Sequence, residues 1–331
     1  MKRIISIFMC FALLFALAAC ADNESGEKKD ENKKEIVRIA SLKGPTSMGI
    51  VKLMQDAEDG KTANDYEFTI AGSADEIVPK FIKGEYDIAA IPANLASTLW
   101  NRTNGEIRVV SLNTLCVLYI VAKGNEVDSV SDLKGKTIYA TGKGSTPEYC
   151  LVRVLENNGL KVGADVKIEW KSEPAEVVSL LSASDGIAML PQPYVTVAKN
   201  SVEGLEIKLS MNDEWNAVPS SGTFVTGVFA VRKEFAQKHP DAVAAFAAEA
   251  AASASYANAN VDETAALVEK YGIVKAAVAK QAIPYCNIVY IDGSEMKTAL
   301  DGFLGVLNAM SPDSIGGKLP DASFYYERNE K

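Results

Sequence analysis

The chain has 331 residues, 43 acidic against 34 Lys and Arg, for a formal net charge of −9. An acidic chain without a Lys/Arg stripe is a poor partner for a nucleic-acid backbone, which requires clustered cations. The length and an apolar content of 48% suffice for two lobes, each with its own core.

The N-terminus carries Lys2 and Arg3, then the apolar run Ile4 to Leu17, then Ala18 and Ala19. That run is short for a bilayer span and ends in small residues, the pattern of an export signal. The sequence Leu17-Ala18-Ala19-Cys20 resembles the bacterial lipobox. The resemblance implies that residues 1–19 are removed and that the Cys20 thiol carries diacylglycerol; the alternative is an ordinary signal whose boundary includes a cysteine. Residues 20–35 hold no large apolar side chain and cannot bury enough surface to offset their ordering entropy, so they read as a flexible tether. Membrane contact is then expected through the lipid alone, on the outer face of the cytoplasmic membrane or in a periplasm.

Beyond the tether, short β-rich runs alternate with longer helical ones, the signature of α/β layers with parallel strands. Strands are expected at Val37–Leu42, Phe68–Ala71 and Tyr86–Ile91, and helices at Ser47–Asp56, Asp75–Lys83 and Asn94–Asn104, followed by the long apolar run Val109–Ala122. A second series follows, with strands at Thr137–Ala140, Val166–Trp170, Ile187–Leu190 and Leu205–Leu209. Its helices lie at Pro147–Asn157, Ala175–Ser182 and Tyr194–Lys199. Trp215–Gly222 reads as polar and flexible, Thr226–Arg232 as a strand, and the rest from Phe235 as helical, ending with Gly293–Met310. The implied organisation is a discontinuous first lobe, residues 36–118 and 227–331, and a second lobe, residues 119–226. Leu118–Lys123 and Thr226–Arg232 would serve as hinge crossings.

In a parallel sheet, ligands bind beyond the carboxyl ends of the strands, where each strand feeds a helix. Four such loops stand out. In Lys43 to Met48, amides around Thr46, Ser47 and Met48 would point at an anionic or dipolar ligand, while Thr46 or Ser47 could instead cap the helix. In Pro92-Ala93-Asn94, Asn94 offers a carboxamide to a ligand or a cap. In Thr141 to Tyr149, Ser145 and Glu148 fit a capping box, Thr146 fits a cap one residue later, Lys143 adds a positive charge, and Tyr149 stands in the first turn. In Pro191-Gln192-Pro193-Tyr194, Gln192 can donate and accept, and Tyr194 offers a stacking face. Asn113 and Thr114 precede the first crossing and add polar contacts, and Trp215 is the expected aromatic lid.

Four segments together resemble the periplasmic binding proteins of the nitrate, sulfonate, taurine and thiamine-precursor importers: Ser41-Leu42-Lys43-Gly44-Pro45-Thr46-Ser47, Gly84-Glu85-Tyr86-Asp87-Ile88-Ala89-Ala90-Ile91-Pro92, Asp132-Leu133-Lys134-Gly135-Lys136-Thr137-Ile138 and Gly144-Ser145-Thr146-Pro147-Glu148-Tyr149. The resemblance implies a type II periplasmic-binding-protein fold, two α/β lobes with a ligand cleft between them. It further implies a small-molecule ligand, ABC permease and ATPase partners, and a monomeric receptor.

An enzyme of the same fold, such as a thiamine-precursor synthase or a lyase, is the alternative. The residues give it little: the one histidine, His239, precedes Pro240 at a helix start, no nucleophile–base pair is evident, and Glu67, Glu85 and Asp87 lie in polar surface patterns. Gly142-Lys143-Gly144-Ser145-Thr146 lacks nucleotide-loop spacing. Cys116, Cys150 and Cys286 are widely spaced and read as small buried residues rather than a disulfide framework or a metal site, and no cofactor or metal is expected. Sulfonate-like anions and flat aromatic solutes both suit the loops.

Overall fold

The computed structural model describes residues 34–219 and 222–327. The expected signal, Cys20 and nearly all of the tether lie outside them. The first run of elements is β1 (Ile36–Leu42), α1 (Pro45–Met48), α2 (Val51–Glu58), β2 (Asp65–Ala71), α3 (Ala74–Lys83), β3 (Ile88–Pro92), α4 (Ala93–Arg102) and β4 (Ile107–Leu115). A second comprises β5 (Leu118–Lys123), β6 (Thr137–Thr141), α5 (Thr146–Asn157), β7 (Lys167–Lys171), α6 (Pro174–Ala183), β8 (Gly186–Pro191), α7 (Tyr194–Ser201), β9 (Glu206–Ser210) and α8 (Met211–Ala217). The return run is β10 (Val225–Arg232), α9 (Lys233–Lys238), α10 (Pro240–Ala259), α11 (Val261–Lys270), α12 (Ala276–Ala282), β11 (Ile288–Ile291) and α13 (Gly293–Met310).

Two sheets result, ordered β11-β4-β10-β3-β1-β2 and β7-β6-β8-β5-β9. In the first, β1 runs parallel to β2 and β3, while β10 lies antiparallel between β3 and β4. In the second, β6 runs parallel to β7 and β8, while β5 lies antiparallel between β8 and β9. Each lobe, a sheet with its helices, thus repeats one topology around the strand that arrives from the other lobe. The repeat is invisible as residue identity because a buried strand asks only for apolar side chains of roughly the right volume.

Several expectations about elements are corrected. The helix expected from Ser47 to Asp56 is broken at Gly49-Ile50, where the chain passes so close to β11 that a Cβ on Gly49 would stand 3.0 Å from the Ile288 side chain. The apolar run Val109–Ala122 is two strands in different sheets, parted at Cys116-Val117, so Leu118–Lys123 and Thr226–Arg232 are sheet strands and the crossings are the short segments before them. Residues through Ala217 of the supposedly flexible segment are helical, and the C-terminal part contributes the edge strand β11.

Packing follows the apolar stripes of the helices. Alanine-rich α10 lays Val243, Phe246 and Ala250 against β1, β3 and β10, with Phe246 edge-on to Phe229 at 5.2 Å. Asp87 is a correction of another kind: it is 2% exposed, not a surface carboxylate. It accepts from Arg232 Nη2 at 2.8 Å and from the Arg38 amide at 3.0 Å, tying β1, β3 and β10 together at the end away from the crossings. His239 stacks on Phe235 and faces Glu35 at 3.2 Å, a structural role at the start of α10. No helix among the described residues is long and apolar enough to cross a membrane.

Two outcomes test this packing. Asp87→Ala removes one partner of a buried ion pair and is expected to cost about 3–5 kcal/mol in denaturant unfolding. The three body thiols are buried, and burial pushes Cys286 up to about 12 and Cys150 well above the usual range. Ellman titration at pH 8 should therefore show no rapid reaction at these thiols until denaturant is added.

Candidate functional site

The carboxyl ends of β1 and β3 face those of β6 and β8, and both crossings leave from this same edge. Contacts between the lobes gather there. Thr146 Oγ1 donates to Asn94 Oδ1 at 3.1 Å, and Tyr119 OH donates to the Tyr285 carbonyl at 2.9 Å with the two rings edge to face. Burial pushes the Tyr119 phenol above its ordinary range, so it remains a donor.

Two irregularities in the β4–β10 ladder shape the floor. Register passes from Leu112↔Val228 to Thr114↔Gly227 and then to Leu115↔Val225, leaving Asn113 and Thr226 as the extra residues of adjoining bulges. A bulge re-aims the side chain it releases, and bulges gather beside functional sites. The Asn113 carboxamide is 3% exposed and neither its Oδ1 nor its Nδ2 has a hydrogen-bond partner. Thr226 Oγ1 and Thr114 Oγ1 are likewise buried and unpartnered. Gly227 makes the room: a Cβ there would lie 2.5 Å from Asn113 Oδ1 and 2.9 Å from Thr46 Cγ2.

From the second lobe comes Gln192, 2% exposed, its amide N–H bonded to the Val117 carbonyl in the first crossing. Thr196 Oγ1 donates to Gln192 Oε1 at 2.9 Å, which fixes the side chain and leaves Nε2 as a buried donor without a partner. Burying an unpartnered polar group costs about 1–3 kcal/mol. The Asn113 carboxamide and Gln192 Nε2 are therefore left with hydrogen-bonding capacity that the protein itself does not fill.

The other expected contacts divide. Thr46 and Ser47 sit inside α1 rather than at its cap, and their hydroxyls turn back to the Leu42 carbonyl at 2.9 and 2.6 Å. The amides of Ser47 and Met48 bond to the Gly44 carbonyl and do not point at a ligand. Met48 is fully buried beside Cys286, and Lys43 is exposed. Pro92 holds the cap position of α4, and Asn94, beyond meeting Thr146, donates to the Ser314 carbonyl at 3.2 Å. Ser145 is the cap residue of α5, but its hydroxyl donates to the Gly142 carbonyl, and Glu148 accepts from the Gly144 amide, so the expected reciprocal box is absent. Tyr149 is half-buried against the core, and Tyr194 is 38% exposed.

Trp215 is no lid. It is fully buried, packed edge-on to Phe224 at 5.1 Å and against Phe303 at 6.0 Å, with its indole N–H bonded to the Gly222 carbonyl. The aromatic trio joins α8, the return crossing and α13. Sequence reading also missed Thr196 and Thr226. An isolated glycine within a strand pattern was the available signal for the Gly227 notch. Among the described residues no cluster of three or more His, Cys, Asp or Glu could hold a metal ion.

Comparison with known proteins places this architecture. No curated protein matches the sequence. Similar solved structures include an ABC transporter from Parabacteroides distasonis (22% identity, 89% of this chain and 100% of that one, TM-score 0.75). The periplasmic aliphatic sulphonate binding protein SsuA from Escherichia coli is also similar (16%, 90% and 94%, TM-score 0.71). So is the zinc-bound ligand binding component of an ABC-type import system from Staphylococcus aureus (14%, 88% and 97%, TM-score 0.68). At these identities the likeness speaks for the fold. The model of the phosphonate ABC-transporter periplasmic substrate-binding proteins matches residues 60–283, well over half of the chain. The chain belongs to that family and is the substrate-binding component of an ABC import system.

Proposed function

We propose that this chain is a lipid-anchored extracytoplasmic receptor that captures a small organic solute by closing two lobes and presents the closed form to the permease. In this reading residues 36–118 with 227–331 and residues 119–226 are the moving bodies, and Cys20 carries the lipid. The contact set is centred on Asn113, Gln192 and Thr226, with Asn94 and Thr146 meeting across the cleft. The observation that carries it is the buried Asn113 carboxamide, unpartnered at both its oxygen and its nitrogen, together with the buried, unpartnered Nε2 of Gln192 beside the first crossing. Closure that buries these groups is unfavourable until a solute pairs with them, so the solute's greater affinity for the closed state drives the change. The protein acts as a receptor and not as a catalyst. The body's one histidine is engaged at Glu35 and Phe235, and the buried polar groups of the cleft are amides and hydroxyls without a base beside them.

In small-angle scattering, saturating solute is expected to reduce the radius of gyration of the full chain, and an unchanged profile despite calorimetric binding would overturn lobe closure. Gly227→Ala drives a methyl into Asn113 and Thr46. It should cost about 1–3 kcal/mol in thermal unfolding and weaken solute binding at least ~10-fold by calorimetry. Cys20→Ser is expected to shift the protein from the membrane pellet to the soluble extracytoplasmic fraction and to abolish incorporation of labelled fatty acid.

A further inference from the structure

We infer that the part of the solute buried in this cleft is uncharged and presents an amide-like edge, a hydrogen-bond donor beside an acceptor, rather than a phosphonate or sulfonate head. The inference rests on the solute-capture reading above and narrows it to a class of ligand.

Three features of the cleft carry it. First, its buried polar side chains are neutral: Ser41, Thr46, Ser47, Asn113, Thr114, Gln192 and Thr196. Asp87, the single charged side chain among the described buried residues, lies at the far end of its strand and is paired with Arg232. A dehydrated anion needs a partner of opposite charge or a converging set of free donors. Lys43 and Lys143, the cations nearest in sequence to these loops, are both exposed.

Second, several backbone donors beside these loops are already engaged. Ser47 and Met48 amides go to Gly44, and the Ser145 amide goes to Gly142. The Gly144 amide, at the start of α5, is taken by the carboxylate of Glu148. A negative charge already stands where an anionic head would seek the helix end, and a second would be repelled.

Third, the groups left over are both donors and acceptors. Asn113 contributes one of each whichever way its amide is turned, and Gln192, its oxygen held by Thr196, contributes a donor. An imide, a lactam or a primary carboxamide answers that set; a fully ionised oxyanion, all acceptors, leaves Asn113 Oδ1 unpaired.

The test is calorimetry on the full-length chain in detergent with uracil, hydantoin and nicotinamide against methylphosphonate, ethanesulfonate and sulfate. The expected result is an uncharged compound binding at least ~100-fold more tightly than any anion, with an affinity nearly constant between low and high salt. Asn113→Asp and Gln192→Glu, near-isosteric and checked for folding by circular dichroism, should each weaken it at least ~10-fold. Glu148→Gln should raise methylphosphonate affinity ~10-fold or more. An anion that binds the native chain more tightly than every uncharged probe overturns the ligand class and leaves solute capture standing. If no uncharged probe binds below about 1 mM, the proposal also fails. If, in addition, no compound of either class contracts the molecule in scattering, solute capture by lobe closure falls with it.

Discussion

Each sheet holds one inner strand that runs against its neighbours, and in both it is the strand delivered by the other lobe. Most of the cleft depends on this constraint. Because β10 and β5 arrive antiparallel, both crossings lie at the sheet edge where the parallel strands β1, β3, β6 and β8 end. The loops after those strands therefore face the other lobe, with the crossings behind them. The two-residue link Cys116-Val117 leads directly from β4 of one lobe into β5 of the other.

The same edge is where the ladder is least regular. Bulges at Asn113 and Thr226 give up local pairing and leave buried polar groups unmatched, against the rule that such groups find partners. Other buried polar groups do find partners: Asp87 meets Arg232 and the Arg38 amide, and Asn64 meets the Ala242 carbonyl, whereas Trp100, Thr264 and Tyr290 each keep an unmatched atom. Asn113, Thr114, Gln192 and Thr226 are the unmatched residues that gather beside the crossings. The aromatic trio Trp215, Phe224 and Phe303 and the close pass of Gly222 against Gly302 hold the second crossing by dense packing instead.

The alternation of strands and helices was legible in the sequence. Hydrophobic periodicity and turn residues report local conformation, and the helix Gly293–Met310 falls where its pattern says. Asn113 and Gln192 stood out as amides in loop or strand-end positions. Less legible were features fixed by contacts distant in the chain. The break at Gly49 depends on Ile288, the burial of Asp87 on Arg232, and the loss of Trp215 as a lid on Phe303. None of these partners is near in sequence.

By itself, then, the sequence determined the α/β class, the order of most elements and the acidic net charge, because composition and short-range periodicity carry that information. Tertiary structure alone decided which strand runs antiparallel, where the crossings lie, and which of fourteen candidate side chains keep free hydrogen-bonding groups. Whether a Thr, Ser or amide faces a ligand depends on whether a neighbour has already claimed it. Thr46, Ser47 and Gly144 are claimed by the Leu42 carbonyl or Glu148, whereas Asn113, set free by a bulge against a notch at Gly227, is not.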